Sequence, residues 1–292
     1  GIYLEDEILI WQINYQLSGY LAYPFSQVQR VEMYAGYQLI DFDVERITQA
    51  YTPDGLPLYR DVVKLPSSKS ISYAYSAMAL VYDSALFGAT APILGQSYMF
   101  EAMPTFGSFK MYTLMGDYRR YFMPVRPFTL AFRALHYGRY GPDAEDDRMY
   151  PLFLGYESMV RGYDYNSFSP DEYSGTGGFE FNRLLGSKML VANAELRFPL
   201  FGVLGIGKGY YGVFPIDMLL FYDWGVAWGY KDAAGQSVKP TFLGGERKPI
   251  SSAGVGLRVN LFGYLIVGVN YVRPFDRADK GWYFQFTFWP GF

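Results

Sequence analysis

The sequence predicts an all-β fold, a transmembrane antiparallel β-barrel, and three observations support that prediction. Aromatic residues make up 20% of the 292 residues, with 29 Tyr and 24 Phe. Charged residues make up only 18%, against about 25% in typical soluble domains. The mean hydropathy is nevertheless near zero, and no run approaches the roughly 18 apolar residues that predict a transmembrane helix. Strands with one face toward lipid have this composition, although composition alone leaves a soluble β-sandwich or β-propeller open.

Alternation with a period of two locates the strands before residue 141. In the first strand, apolar side chains at the odd positions from Leu9 to Leu17 alternate with mostly polar neighbours. A turn is predicted at 24–27. Residues 43–66 are predicted to form an exposed loop, because charges, prolines and an Asp54-Gly55 pair cluster there. The strands predicted in this half are 9–18, 31–39, 69–83, 96–105, 109–122 and 127–140.

Five more strands are predicted after the long segment that begins near residue 141. On the first of them Asn193, Glu195 and Arg197 share one face. Because a charge facing lipid near the bilayer midplane costs about 2–4 kcal/mol, that face is predicted to line the lumen. The strands total about 11, whereas a closed single-chain bacterial barrel has an even number, so either one strand is missed or the chain lacks its beginning. These five strands are 189–198, 213–229, 252–261, 264–273 and 282–289.

The last predicted strand is unusually aromatic on one face, and the chain ends on Phe292. An aromatic terminal strand that ends in Phe is typical of bacterial outer-membrane barrels, in which the insertion machinery recognises it. We therefore expect a terminal-strand signal formed by Trp282, Phe284, Phe286, Phe288 and Phe292.

The segment from about Gly141 to Lys188 is long, glycine-rich and otherwise irregular. We predict that it is folded back into the lumen of a single barrel domain spanning 1–292 and is pinned there by Arg161. The motif around this arginine consists of Val160, Arg161, Gly162, Tyr163 and Asp164. The residues of the barrel wall expected to receive it are Glu195, Arg197, Phe221, Asp223, Gly225, Gly254, Gly256 and Arg258.

Four segments resemble, in their order along the chain, the motifs of the BamA/TamA-type superfamily of outer-membrane assembly and translocation barrels, which includes the bacterial surface antigen barrels. They are VRGYD at 160–164, AELRFP at 194–199, FYDWG at 221–225 and GVGLR at 254–258. The resemblance covers 150–292 well and the earlier strands only by pattern.

That resemblance implies a 16-stranded barrel in which the first motif lies on the sixth extracellular loop, between the eleventh and twelfth strands. Five strands follow the loop here, as in the family, but only six precede it. We expect neither a signal peptide nor a periplasmic domain within these 292 residues. We therefore expect this chain to be the carboxy-terminal portion of a longer protein of the bacterial outer membrane.

The resemblance also implies that Arg161 pairs with Asp223. An arginine offers five fixed donors and suits a bidentate carboxylate partner in a partly dehydrated lumen. Glu195 and Arg197 are expected to complete an ionic network with Arg258. Glycine lets backbone segments approach closely, and the glycines expected to make room for the loop tip are Gly162, Gly225, Gly254 and Gly256.

Several kinds of site are disfavoured by the residues present. The net charge is −3 and no basic patch stands out, which argues against nucleic acid as a partner. Cysteine is absent, so neither disulfides nor thiolate metal sites are expected. His136 is the single histidine, which leaves little basis for a metal site or a catalytic triad. We expect no catalytic residue, no metal and no cofactor.

Two functions from different classes follow from the resemblance. In the first, the barrel assists insertion or translocation of polypeptides at the outer membrane, and its partners are lipopolysaccharide, phospholipid, unfolded outer-membrane or secreted polypeptides, and periplasmic or envelope proteins. In the second, the barrel is a membrane anchor or accessory subunit of a larger envelope complex or of a fused periplasmic domain. A passive porin is disfavoured, because a loop pinned in the lumen obstructs the channel.

Overall fold

The structure, a computed structural model, describes residues 2–173, 179–231 and 235–290, so Phe292 lies outside the described residues. Strands dominate it. They are β1 (Tyr3–Pro24), β2 (Gln29–Tyr51), β3 (Pro57–Leu65), β4 (Ile71–Asp83), β5 (Leu86–Phe87), β6 (Pro92–Gly107), β7 (Met111–Val125), β8 (Phe128–Tyr140), β9 (Leu152–Phe153), β10 (Leu185–Gly186), β11 (Lys188–Pro199), β12 (Ile216–Trp228), β13 (Ile250–Leu261), β14 (Leu265–Pro274) and β15 (Tyr283–Pro290).

One antiparallel sheet contains 13 of these strands. Eleven follow one another as a meander in the order β1-β2-β4-β6-β7-β8-β11-β12-β13-β14-β15, while β3 pairs with β2 and β5 with β6. The eleven strands of the meander are the eleven that alternation predicts, and the all-β antiparallel fold is confirmed. Within the described residues, β1 pairs with β2 alone and β15 with β14 alone.

The prediction of an exposed loop at 43–66 is wrong. Strand β2 continues to Tyr51, and β3 returns beside it from Pro57 to Leu65, which leaves a short turn around Gly55 with φ of 80°. This hairpin extends past β4, which begins at Ile71 opposite Ile40. A hairpin that projects beyond β4 tolerates charges, and here Lys64 of β3 pairs with Asp43 of β2 at 2.9 Å. In this region, therefore, the presence of charged residues does not distinguish a strand from a loop.

The connections lie at two opposite ends of the sheet. The loop end carries those that follow β2, β6, β8, β12 and β14, and the turn end carries those that follow β1, β4, β7, β11 and β13. The longest connection, residues 141–187, starts at the loop end between β8 and β11 and is called the lumen loop below. None of the helices in the described part of the chain has the length and apolar character needed to span a membrane.

The sheet curls around the lumen loop. Arg133 of β8 and Asn193 of β11 donate hydrogen bonds to carbonyl oxygens of Ser158 and Met159 in that loop, at 2.5 and 2.8 Å. On the far side of the loop, Gln285 of β15 accepts from a loop N–H at 3.3 Å. Alternate residues of strands that are distant in the meander therefore face one interior, as the inward assignment of Asn193 predicts.

The main hydrophobic core lies between the lumen loop and the inner face of the wall. The loop contributes Leu154, Val160, Tyr163, Phe168, Phe179 and Leu184, and the wall contributes Leu135, Met189, Val191, Ala227 and Ile250. The outer face, by contrast, leaves large apolar side chains uncovered: Phe284, Phe286 and Phe288 of β15 are 63%, 59% and 65% exposed. An apolar outer face around a packed interior fits strands that meet lipid.

Candidate functional site

The tip of the lumen loop reaches the inner wall through a tight backbone bend at Gly162. This glycine has φ of 91°, a conformation that glycine adopts without steric cost. A Cβ at this position would lie 3.1 Å from Val272 of β14 and 3.4 Å from Pro274. Close approach to the wall and a left-handed backbone therefore both favour glycine here. Val160 and Tyr163, on either side of the Arg-Gly pair, are fully buried.

Arg161 and Asp223 form the central ion pair of the site. Arg161 is 5% exposed and Asp223 of β12 is 0% exposed. The Nε and Nη2 atoms of Arg161 donate to the two carboxylate oxygens of Asp223 at 2.7 and 2.8 Å. The backbone N–H of Arg161 donates to the same carboxylate at 3.1 Å, and Asn193 of β11 adds a bond at 2.8 Å. This bidentate arrangement compensates a buried carboxylate, because charge-assisted pairs are the strong ones.

Glu195 of β11 is an acceptor shared by three arginines. The Nη1 atom of Arg161 lies 2.8 Å from its Oε1, and Nη2 of Arg258 lies 3.1 Å from the same oxygen. Nη2 of Arg197 contacts its Oε2 at 2.6 Å. Burial alone would lower the pKa of Arg161, but the carboxylates of Asp223 and Glu195 raise it above its ordinary value. The arginine therefore stays charged at any physiological pH.

Phe221 and two of the predicted glycines shape the floor beneath the arginine. The guanidinium carbon of Arg161 lies 3.6 Å from the centre of the Phe221 ring, within the range of a cation–π contact. A Cβ on Gly254 would lie 2.5 Å from that ring, so this glycine makes room for Phe221. At Gly225 a Cβ would lie 2.8 Å from Val160 of the lumen loop.

The nearest neighbours of Gly254 and Gly256 are other wall residues, whereas the expectation was that the loop tip occupies the space they leave. Gly254 faces the Phe221 ring, and Gly256 faces the side chains of Leu219 and Asn270. The physical reason is the size of these inward-facing neighbours, which occupy the space between wall and loop. Gly225 meets the loop directly, because a Cβ there would have Val160 and Leu154 as its nearest neighbours.

The last strand, β15, contacts the end of the motif at Asp164, and this contact was not predicted from the sequence. Asp164 accepts hydrogen bonds from Tyr283 at 2.8 Å and from Gln285 at 3.2 Å, both on β15. Tyr163 donates to the backbone carbonyl of Ser251 on β13 at 2.9 Å. Burial, followed by the nearby Asp276, raises the pKa of Tyr163, so it remains a neutral donor. The motif thus contacts β12, β13 and β15 together.

A second buried arginine also holds the lumen loop, and this contact was not predicted from the sequence. Arg277, in the connection between β14 and β15, is 0% exposed. Its Nε and Nη2 atoms donate to Glu172 of the lumen loop, both at 2.8 Å. It also donates to the carbonyl of Gly162 at 2.9 Å and to Ser167, and it lies 3.9 Å from the centre of the Phe168 ring. Hydrogen bonds from Arg277 lower the pKa of Glu172 to about 2.

The aromatic residues of the terminal strand lie apart from this site. Phe284, Phe286 and Phe288 point outward, and Trp282 at the entrance of the strand is 49% exposed. Tyr271 of β14 packs against Trp282 and Phe284 at ring distances of 5.1 and 4.8 Å. These residues form part of the outer apolar surface, and their role as a signal stays a prediction.

The side chains of this site hold the lumen loop in place. In the described residues no group of three or more His, Cys, Asp or Glu side chains is placed to hold a metal ion. The carboxylates of the cluster bind arginine side chains. What the arrangement does is hold an irregular segment against four strands of a barrel wall, β11, β12, β13 and β15, through buried ion pairs.

Comparison with known proteins agrees with this geometry. A family model, the Omp85 superfamily domain, matches residues 15–291. Among solved structures, BamA from Haemophilus ducreyi lacking POTRA domains 1–3 is similar with a TM-score of 0.61 at 15% identity, over 95% of this chain and 53% of that chain. This chain therefore spans about half the length of that protein, and at this identity the likeness shows the fold. A search of curated proteins finds no match.

Proposed function

The chain belongs to the Omp85 superfamily, a family of outer-membrane protein insertion and translocation, and from this premise we propose that its barrel assists the assembly or translocation of polypeptides at the bacterial outer membrane. The observation that supports the proposal is the buried Arg161 clamp. It ties the lumen loop to β12 by a bidentate pair with Asp223 and to β11 through Glu195. A loop held in this way supports the wall from inside while the outer face remains free to meet lipid.

The last strand is where this support matters most. In the described residues β15 has one hydrogen-bonded neighbour, β14, so its other edge presents unpaired backbone groups. An exposed strand edge is a template on which an incoming segment adds as a further strand. The motif contacts β15 through Asp164 and Gly162, which keeps that edge in position. Insertion of a substrate strand at this edge requires no covalent chemistry.

The test is assisted insertion into lipid vesicles. The purified protein is reconstituted, an unfolded outer-membrane barrel is added as substrate, and folding is followed by its protease-resistant fraction. Arg161→Ala is expected to slow insertion, because the lumen loop is then no longer held against β11 and β12. Arg148→Ala is the matched control, because that arginine is in the same loop but is largely exposed, where it pairs with Asp146 and contacts Ser108 and Phe109. It should leave the rate unchanged.

The alternative, a membrane anchor or accessory subunit, is separated by the same assay. An anchor would give a correctly folded barrel that does not accelerate insertion above protein-free vesicles, with or without Arg161. An unmodified protein that accelerates insertion, and loses the acceleration with Arg161→Ala but not with Arg148→Ala, would support the insertion role.

A further inference from the structure

A short connection at the turn end also enters the lumen. Residues 84–91 join β4 to β6, two strands near the start of the meander, yet their tip contacts strands on the far side. The side chain of Asn260 on β13 donates to the carbonyl of Ala89 at 2.5 Å. Tyr211 accepts from the N–H of Ala89 at 2.5 Å, and Thr90 donates to Asp217 of β12. The connection therefore spans the interior.

The burial of this connection changes within a few residues. Leu86 and Phe87 are 61% and 49% exposed, whereas Thr90 and Ala91 are 5% and 8% exposed. Gly88 has no room for a side chain, since a Cβ there would collide with the Tyr211 hydroxyl. The tip is buried and hydrogen-bonded to Asp217 and Asn260 of the opposite wall and to Tyr211 of the connection between β11 and β12, so it is docked and is not a solvated turn.

Arginine side chains separate this tip from the lumen loop. One cavity of about 230 Å³ is bordered by the lumen loop, and another of about 420 Å³ is bordered by Thr90 and Ala91. Both cavities share the same four wall residues: Arg119, Tyr121, Arg197 and Arg258. The interior is thus layered from one end to the other as loop, cavity, arginine layer, cavity and tip.

Arg197 connects the two docked segments. Its Nη1 atom donates to the carbonyl of Pro92, at the base of the tip, at 3.2 Å. Its Nε atom donates to Oε2 of Glu195 at 2.6 Å, and Oε1 of Glu195 lies 2.8 Å from Arg161. A guanidinium is planar and rigid. When Arg197 is oriented by its bond to Glu195, the position of its Nη1 atom, which donates to Pro92, is therefore set as well.

We propose that residues 84–92 form a second plug of the lumen, entering from the turn end, and that Arg197 couples its docking to that of the lumen loop. Arg161 fixes one oxygen of Glu195, the other oxygen orients Arg197, and Arg197 holds Pro92. Release of the lumen loop then loosens the second plug. This inference concerns docking alone and stands whether or not the barrel inserts polypeptides.

The absence of cysteine makes the proposal directly testable by thiol labelling. Ala91→Cys places a thiol in the docked tip, and Phe87→Cys places one on the exposed part of the same connection. A polar maleimide is applied to each purified variant in lipid nanodiscs. We expect the thiol at position 91 to react about tenfold more slowly than that at 87, since protection reflects local opening.

Coupling is measured by adding Arg197→Gln or Arg161→Ala to each cysteine variant. Both are expected to raise the labelling rate at position 91 severalfold and to leave position 87 unchanged, while Arg148→Ala changes neither. Heat-modifiable mobility on gels checks that each barrel is folded. Equal rates at 91 and 87 in the parent protein would overturn the second plug. Slow labelling at position 91 that neither arginine variant alters would overturn the coupling. If a variant does not fold, Arg197→Lys is used in its place and judged by the same labelling rates.

Discussion

At the residue scale, Arg161 decides whether the lumen loop is a plug. A guanidinium that is 5% exposed and paired with Asp223 and Glu195 has exchanged water for two carboxylates. Removing one partner of such a pair typically costs about 3–5 kcal/mol, because it leaves an uncompensated buried charge. Exposed pairs such as Arg148 with Asp146 contribute little, because solvent screens the attraction. The two arginines of the same loop therefore differ sharply in what they stabilise.

Channel conductance measures this difference. In planar bilayers the parent protein should conduct poorly, because the loop obstructs the lumen, and Arg161→Ala should conduct more strongly and in larger steps. Arg161→Lys keeps the charge but loses the fork that binds Asp223 at two points, so an intermediate conductance is expected. High conductance already in the parent protein, unchanged by Arg161→Ala, would remove the plug.

Glu172 gives the docked loop a defined dependence on pH. Its pKa is lowered from 4.5 to about 2 by Arg277, so the carboxylate stabilises the docked loop fully above about pH 4.5 and this contribution is lost as the pH falls toward 2. Pepsin cleavage of the lumen loop should therefore accelerate between pH 4 and pH 2.

The matched comparison uses two carboxylates of the same loop. Glu172→Gln should give rapid cleavage that no longer depends on pH in this range. Asp146→Asn should leave the cleavage rate and its pH dependence as in the parent protein. Arg148 lowers the pKa of Asp146 to about 2 as well, but that pair lies at the surface. Identical pH profiles for the parent and Glu172→Gln would show that the Arg277 pair does not hold the loop.

The sequence predicted the first clamp and missed the second for a physical reason. The family resemblance implied that Arg161 pairs with Asp223, and alternation along β11 indicated that Glu195 faces inward. Glu172 lies in an irregular segment without periodicity, and Arg277 lies in a charged connection that resembles an exposed turn. Nothing local indicates that these two meet, since the contact depends on how a long loop folds over the wall.

At the element scale, close contact between strand β12 and the lumen loop depends on a missing side chain. A Cβ on Gly225 would lie 2.8 Å from Val160 and 3.1 Å from Leu154. Overpacking a tight contact of this kind typically costs about 1–3 kcal/mol. The strand itself has partners on both sides, so the strain falls on the loop, which is the less constrained element.

Gly225→Leu is therefore expected to displace the lumen loop without unfolding the barrel. Limited trypsin digestion should cleave the loop faster, while heat-modifiable mobility of the barrel stays unchanged. Gly19→Leu in β1 is the control, because a Cβ there meets nothing within 4 Å. If Gly225→Leu digests like the parent protein, the loop does not pack against β12.

Element predictions failed where charge was taken as a sign of loop. All eleven strands of the meander follow from the alternation of apolar and polar residues, including β1, both faces of which are exposed in the structure. The hairpin of β2 and β3 projects past β4 and carries charges on both strands, so its residues lack the contrast between faces that alternation needs. Its Asp54-Gly55 turn was nevertheless predictable from residue type.

At the scale of the whole molecule, the interior is built from connections as much as from strands. The main core joins six lumen-loop side chains to five on the wall, and the connection after β4 enters from the other end. A soluble β-sandwich would bury the faces of two sheets against each other. Here one sheet curls around its own loops and leaves an apolar outer face, as the strands of a membrane barrel do.

Hydrogen–deuterium exchange of residues 152–168 in lipid nanodiscs tests the pinned loop most directly, in the parent protein, Arg161→Ala, Asp223→Asn and the double variant. Slow exchange is expected in the parent, and each single change should accelerate it by about two orders of magnitude, matching a local loss of about 3 kcal/mol. The double variant should be no faster than the single ones, because the same pair is removed. Rapid exchange in the parent protein, or effects of Arg161 and Asp223 that simply add, would contradict a lumen loop held by this ion pair.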